Sequence, residues 1–332
     1  MTKRNVIQVL KAGIHSSVQD LGCTGYRHLG ITTGGALDRH ALILANRLLG
    51  NRDASAGIEL TSGVVELKFN CDTWFVVTGA SYRISIDQRN IWCNWRNKIK
   101  AGEILSLRGP KSGMHAYLAL EGGIVGGTVG GVVGEIHHCS PDTNNNLLPK
   151  SGSLVGSRFS GVLGTVLKDG DRLALGQAGT ISKPIGAVQR GYSNEIRALP
   201  GPEMPLFSAE SKKAFWNTCW KLTNESNRMG ARLSGTSLFL VKQQDMESHA
   251  VMPGTVQIPP SGQPIVLLAD SQTTGGYPKI ATVIEADLWK LAQTRPGEEV
   301  RFIHVSPNQA EDANYEWEQY FYRLQRAIDA NG

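Results

Sequence analysis

Thirty-eight glycines, dispersed among short apolar runs, restrict the folds open to this chain more than any other feature. Glycine at that density discourages long helices and supplies the positive-φ corners that tight turns between strands require. The runs between the glycines are of strand length. They cover 6–10, 64–69, 73–78, 104–107 and 115–119 in the first 120 residues, then 172–175, 237–241 and 265–268. A mainly β chain is expected, with few helices.

Four helices stand out against that background. Asp38 is placed to cap one, with Ala41, Leu44, Ala45 and Leu48 on one face and Gly50 to close it. Short helices are expected over 209–217 and 288–293. The last begins at Ser306-Pro307-Asn308-Gln309, a cap followed by proline at the first position and glutamine at the third. Its stripe of Ala313, Trp317, Tyr320, Leu324 and Ile328 reads as a packing face. Lys168-Asp169-Gly170-Asp171 marks a turn, and the polar stretch 176–193 reads as an inter-domain connection. These signals divide the chain into a domain over 1–190, a second over 195–308, and a terminal helix over 309–332. The first carries a long irregular insertion near 125–160.

At 332 residues, 41% hydrophobic and 19% charged, the chain is globular and long enough for two cores. A net charge of +5 without a basic run argues against nucleic acid as a partner. The five cysteines are scattered and never form a CxxC pair, which argues against a zinc ribbon or a disulfide scaffold. His137, His138 and Cys139 are adjacent, and adjacent side chains seldom converge on one ion, so no metal site is expected. The first residues lack the apolar core of a signal peptide, and the apolar stretch 122–134 is too short and glycine-laced to span a membrane. A reduced cytoplasmic protein is expected. P-loop, HExxH and GxSxG motifs are absent, and Gly126-Gly127-Thr128-Val129-Gly130-Gly131 does not fit a dinucleotide fingerprint. There is no Met-Lys dipeptide of the kind that carries covalent biotin.

Three polar constellations carry what chemistry the chain offers. The first joins Gln19 and Asp20 to Gly34, Gly35 and Asp38, with Asn46 and Glu59 beyond. Asp38 has an ordinary explanation as a helix cap beside a functional one. The second sets Arg228 and Arg232 around Gly230, guanidinium groups suited to bidentate recognition of carboxylate or phosphate. The third runs from Gln257 through Pro259-Pro260-Ser261-Gly262-Gln263 and an apolar run to Asp270, Ser271, Gln272, Thr273, Thr274, Gly275, Gly276 and Tyr277. Carboxylate, amide and hydroxyl groups there sit on backbone able to approach a ligand closely, and a purely structural loop is the alternative reading.

Together these pieces resemble the biotin-dependent carboxyltransferase, or allophanate-hydrolase-subunit-2-like, family, and within it the C subunits of bacterial 5-oxoprolinases. The resemblance is carried by Ser17-Val18-Gln19-Asp20-Leu21-Gly22, Gly34-Gly35-Ala36-Leu37-Asp38, Ala45-Asn46-Arg47-Leu48-Leu49-Gly50-Asn51 and Tyr117-Leu118-Ala119-Leu120-Glu121-Gly122-Gly123-Ile124. It continues in Arg197-Ala198-Leu199-Pro200-Gly201-Pro202-Glu203, Ser226-Asn227-Arg228-Met229-Gly230 and the residues from Pro253 to Ala281. A departure follows Gly123-Ile124, where the family's short Gly-Ser-x-Ser-Thr-Asp segment is replaced by the longer stretch containing His137 and the asparagines. The resemblance implies two cyclophilin-like β-barrel domains. It implies a share in opening 5-oxo-L-proline to L-glutamate with ATP as co-substrate, beside the B subunit of 5-oxoprolinase and a LamB/YcsF-type A subunit. For that reaction, residue chemistry makes Asp270, Glu59 and Arg228 the catalytic candidates, with Arg228 and Arg232 for anion recognition and Asp270 or Glu59 for proton transfer. Binding candidates are Gly34, Gly35, Asp38, Arg232, Gln257, Gln263, Gln272, Thr273, Thr274, Gly275, Gly276 and Tyr277. The same resemblance leaves two rivals: a carboxyltransferase component of a urea-carboxylase-like system, and a regulatory module that binds a kinase-inhibitor-like partner.

Overall fold

The computed structural model describes residues 5–129, 132–136, 163–179, 181, 183–188, 191–242 and 246–331. His137, His138, Cys139 and the asparagine run lie outside them. The chain forms two compact units, one of residues 1–23, 34–190 and 322–332, the other of 24–33 and 191–321. The class is mainly β, as expected.

Unit 1 is built on an eleven-stranded sheet. Its strands are β1 (Val6–Ala12), β2 (Ser16–Gln19), β3 (Gly57–Leu60), β4 (Gly63–Phe69), β5 (Thr73–Ile86), β6 (Arg89–Ile91), β7 (Asn97–Ile99), β8 (Ile104–Leu120), β9 (Ile124–Val129), β10 (Val132–Glu135) and β11 (Arg172–Leu175). The main path runs β10-β9-β11-β1-β4-β8-β3-β2, and β5 pairs with β6, β7 and β8. Alternation sets the inner face: Ile7 and Val9 of β1, Val65, Leu67 and Phe69 of β4, and Leu105 and Leu107 of β8 are buried. The helix α1 (Arg39–Leu48) buries Leu42, Leu44, Ala45 and Leu48. It is tied to β5 by Thr78, whose hydroxyl donates to the Ala41 carbonyl at 2.7 Å.

Two expectations are corrected here. The runs 104–107 and 115–119 belong to one strand, β8. Gly109, Pro110 and Gly113 suggest a break, but the β5–β8 ladder absorbs the interruption in register shifts around Ser81. The glycine-rich insertion also contributes regular structure, because β9 pairs with both β10 and β11. Gly127 permits this: at φ +146°, a Cβ there would collide with the Arg172 carbonyl across the ladder.

Unit 2 contains β12 (Glu195–Pro200), α2 (Ala209–Asn217), β13 (Trp220–Leu222), β14 (Gly230–Ser234), β15 (His249–Ala250), β16 (Thr255–Gln257), β17 (Ile265–Leu267), β18 (Thr274–Gly275), β19 (Lys279–Val283), α3 (Leu288–Gln293), β20 (Glu299–His304) and most of α4 (Pro307–Asn331). Seven strands close a barrel in the order β12-β19-β16-β17-β14-β13-β20, with β15 and β18 pairing apart from it. Its core includes Phe215 stacked on Phe302 at 4.7 Å, with Trp220 beside them. The α4 cap is reciprocal: the Ser306 N–H donates to Gln309 Oε1 and the Gln309 N–H to Ser306 Oγ. Ala313 and Trp317 of that helix pack on Ile284, Ala286 and Val305, as the stripe predicts.

The expected strand 237–241 is corrected. Its N–H groups go to different segments, Leu238 to Gly262 and Val241 to Leu206, leaving only an isolated bridge between Leu240 and Phe207. Cys71, Cys93 and Cys219 are free thiols. Cys23 is disulfide-bonded, which corrects the expectation of a wholly reduced chain at that position.

Candidate functional site

In unit 2 the residues after β17 form a loop held from several sides. The turn at Met229 and the loop face each other through the backbone: the Leu268 N–H donates to the Met229 carbonyl and the Asp270 N–H to that of Arg228, both at 3.0 Å. The side chains follow. Arg228 Nε donates to Asp270 Oδ2 at 2.7 Å and Nη2 to Oδ1 at 3.2 Å, a two-pronged pair. Neither group is fully buried, at 16% and 32% side-chain exposure, so the pair keeps access to solvent and ligand.

The rest of the loop is held chiefly through its main chain. The Thr273 carbonyl accepts from the Val251 N–H at 3.0 Å, and Thr274 and Gly275 pair with Ala250 and His249. Gln272, Thr274 and Tyr277 are exposed, and Thr273 is half-buried. Gly275 lies directly over buried Gln257, and a Cβ there would come within 2.5 Å of Gln257 Nε2. The Gln257 amide donates to the Tyr277 carbonyl at 3.5 Å. Gly276 sits near the Met246 carbonyl.

Two candidates stand apart from this cluster. Gln263 uses its amide to clamp the turn at 235–237, accepting from the Gly235 N–H at 2.8 Å and donating to Ser237 Oγ at 3.0 Å. Arg232 lies on β14 with an exposed side chain.

Sequence reasoning missed Arg27. It lies in the 24–33 segment of unit 2 and reaches three carbonyls: Nη2 donates to Val251 at 2.8 Å and Gln272 at 2.6 Å, and Nη1 to Ser271 at 3.5 Å. Burial lowers its pKa. Beside it Ser271 is fully buried, and its hydroxyl has no hydrogen-bond partner among the described residues. No local pattern marks Arg27 as a clamp, because the three carbonyls it holds lie more than 200 positions away, and its one nearby contact is a 3.4 Å hydrogen bond to Thr33 Oγ1.

The first constellation is assembled in unit 1 and is buried. Glu59 Oε2 accepts from the Tyr117 hydroxyl at 2.8 Å and from the Leu37 N–H at 3.0 Å. The Tyr117 oxygen in turn accepts from the Asp38 N–H at 2.7 Å. Asp38 caps α1 through the Ala41 N–H at 3.0 Å. Asp20 takes the Gly22 N–H on its side chain and the Ala36 N–H on its carbonyl. Gly34 and Gly35 both have positive φ, and Gly35 lies so close to Leu21 and Gly22 that any side chain would collide with their backbone. Gln19 donates to Ser17 Oγ, and Asn46 to the carbonyls of Asp53 and Ser55. Burial, then the Glu59 and Asp38 charges, push the Tyr117 hydroxyl well above the ordinary tyrosine pKa. The segment 34–38 is thus hung from two buried side chains, Glu59 and Tyr117.

Among the described residues no three His, Cys, Asp or Glu side chains are grouped to hold a metal, and no helix is long and apolar enough to cross a membrane.

The 5-oxoprolinase C subunit of Escherichia coli strain K12 is 41% identical over 320 residues, covering 96% of this chain and 97% of the relative. That of Haemophilus influenzae is 38% identical over 324 residues, with 98% and 99% covered. Among solved structures, the Kluyveromyces lactis urea amidolyase superposes with a TM-score of 0.80 at 26% identity. That match covers 96% of this chain and 20% of the amidolyase chain. A family profile described as carboxyltransferase domain, subdomain A and B, matches residues 29–136 and 142–304. With that match spanning most of its length, the chain belongs to the carboxyltransferase-domain family of subdomains A and B.

Proposed function

We propose that this chain is the C subunit of an ATP-dependent 5-oxoprolinase that opens 5-oxo-L-proline to L-glutamate, acting with a B subunit and a LamB/YcsF-type A subunit. The observation that carries this reading is end-to-end likeness: two proteins named as the C subunit of 5-oxoprolinase align over nearly all of this chain and nearly all of themselves.

The chemistry asks for groups of the kind found in the loop of unit 2. A five-membered lactam is a poor electrophile, and transfer of the γ-phosphoryl group of ATP to its oxygen, with ADP leaving, makes the carbon attackable by water. The C–N bond then breaks, the ring nitrogen leaves as the protonated amine, and a second water hydrolyses the resulting acyl phosphate to L-glutamate and phosphate. Arg228 meets the developing negative charge, and Asp270, paired with it, holds the guanidinium plane in place and accepts the proton of the attacking water. Proton transfer falls to Asp270 rather than Glu59, because Glu59 is only 1% exposed and already receives two donors. Gln272, Thr273 and Thr274 orient the substrate, and Arg27 keeps their backbone in position. Glu59, Tyr117 and Asp38 serve by fixing the 34–38 segment.

The test is glutamate release from 5-oxoproline and ATP by the chain co-purified with candidate A and B subunits, each omitted in turn. Loss of turnover without this chain, and a fall of about 100-fold or more in kcat for Arg228→Ala or Asp270→Ala, support the reading. Full turnover without the chain would overturn it. The likeness to urea amidolyase favours a second reading, a carboxyl-transfer component of a urea-carboxylase-like system. That reading requires dependence on a biotinylated carrier and on urea, which the same assay detects by substitution of substrates.

A further inference from the structure

The outer face of the unit 1 sheet carries a concentration of charge that the fold does not neutralise. In the β5–β8 ladder Arg83 stands directly opposite Arg108, and both side chains are exposed. Like charges facing each other across an antiparallel pair cost stability, so the arrangement calls for a compensating anion. Neither guanidinium has a hydrogen bond or ion pair among the described residues. The acid on the same face, Glu66 of β4, is engaged by Lys11 at 3.1 Å.

Two further exposed groups lie close to this pair in the chain. In the β5–β6 pair Ile84 stands opposite Ile91, one residue from Arg83 on one strand and one from Trp92 on the other. Trp92 is 79% exposed, an unusual cost in apolar surface left in water. Lys111 adds a third exposed cation. It is near enough to Cys93, which hydrogen-bonds to the Tyr82 carbonyl, to counter part of the rise that burial causes in that thiol's pKa.

We propose that this face, centred on Arg83, Arg108 and Trp92, docks an acidic segment of a partner protein in the assembled enzyme, with carboxylates between the arginines and an apolar side chain on the indole. The inference rests on the reading of the chain as one component of a larger enzyme. Arginine and tryptophan are the residue types that dominate binding energy at protein interfaces. Three cations on a chain of net charge +5 are too few for a nucleic-acid track and suffice for a local acidic segment.

The test is titration of the full chain with the candidate A and B subunits, each purified alone, at roughly 50 and 300 mM NaCl, where screening of exposed charges differs. The wild type is expected to bind one of them, more weakly at the higher salt. The double variant Arg83→Glu/Arg108→Glu is expected to lose about ten-fold or more in affinity, and Trp92→Ala about five-fold. Lys213→Glu, on α2, is expected to bind like the wild type. Arg83→Glu alone carries a second signature, since it replaces a repulsive pair with an attractive one. The isolated chain is expected to melt at a higher temperature while the complex weakens. Equal binding by wild type and double variant would overturn the surface and leave the reading of the chain as an enzyme component intact. A wild type that binds neither candidate would overturn both. Tighter binding to a single-stranded oligonucleotide than to either candidate, lost in the double variant, would overturn the protein partner.

Discussion

At the scale of single residues, two side chains that look ordinary in sequence hold the candidate sites in place. Tyr117 is both donor and acceptor between two parts of the chain, and removing its oxygen strands the Asp38 N–H and one face of Glu59. Tyr117→Phe is expected to cost about 1–3 kcal/mol in chemical denaturation. The same residue sets a pH dependence. Its folded pKa is raised, so its stabilising contribution is fully present below the unfolded value near pH 10 and is lost as the pH climbs toward the folded value. Melting temperatures measured between roughly pH 9 and 11 are expected to fall in the wild type and to fall less in Tyr117→Phe. Arg27 plays the corresponding part in unit 2. Arg27→Ala is expected to speed exchange of the Val251 amide, which donates to the Thr273 carbonyl within the clamped segment. The same variant is expected to lower kcat of the assembled enzyme about ten-fold or more. Unchanged exchange would show that the three carbonyl contacts do not hold the loop.

At the scale of elements, the junctions between strands and helices depend on groups that sequence patterns mark only in part. Asp287, just before α3, is buried and receives the Arg197 N–H and both prongs of its guanidinium, with Lys290 at 3.1 Å. Burial pushes its carboxyl upward, but the Arg197 hydrogen bonds and the two cations outweigh that and hold its pKa below the usual value. A depressed pKa means stability present at neutral pH and lost as the pH falls below about 4. Asp287→Asn is expected to cost about 3 kcal/mol, the low end for breaking a buried pair because Arg197 keeps 33% of its side-chain surface exposed, and to flatten that acid limb. In unit 1 the critical element is the β9–β11 ladder. Gly127→Ala places a methyl group against the Arg172 carbonyl and is expected to lower the melting temperature by several degrees, about 1–3 kcal/mol of overpacking. A wild-type melting curve for that variant would show that the ladder shifts freely.

At the scale of the whole molecule, each unit has its own core, and the chain passes between them more often than its order suggests. Residues 24–33 group with unit 2 although sequence on both sides of them belongs to unit 1. In unit 2 the barrel closes through the parallel pairing of β12 with β20, an association of residues about a hundred positions apart. Phe302 of β20 lies where that closure meets α2, stacked on Phe215. Phe302→Ala is expected to cost about 3–5 kcal/mol, read as a lowered denaturation midpoint. A loss below about 1 kcal/mol would mean the barrel core collapses around the gap.

The sequence by itself determined what is local. Glycine density and short alternating runs specified a β chain; Asp38, Ser306 and Gln309 specified helix starts; Arg228 and the Asp270 loop announced polar chemistry. These signals are legible because turns, caps and alternation depend on residues a few positions apart. Only the tertiary structure decided that 104–120 is one strand, that the glycine-rich stretch pairs with β11, and that 237–241 is not a regular strand. The same holds for the candidate sites. Residue chemistry offers Glu59 for proton transfer, and the fold buries it under Tyr117 and Leu37. Arg27 carries no local signal and becomes a clamp only because the chain returns to it after more than 200 residues. Long-range pairing fixes which carbonyls meet which donors, and hydrogen bonds of that range leave no periodicity in the sequence to be read.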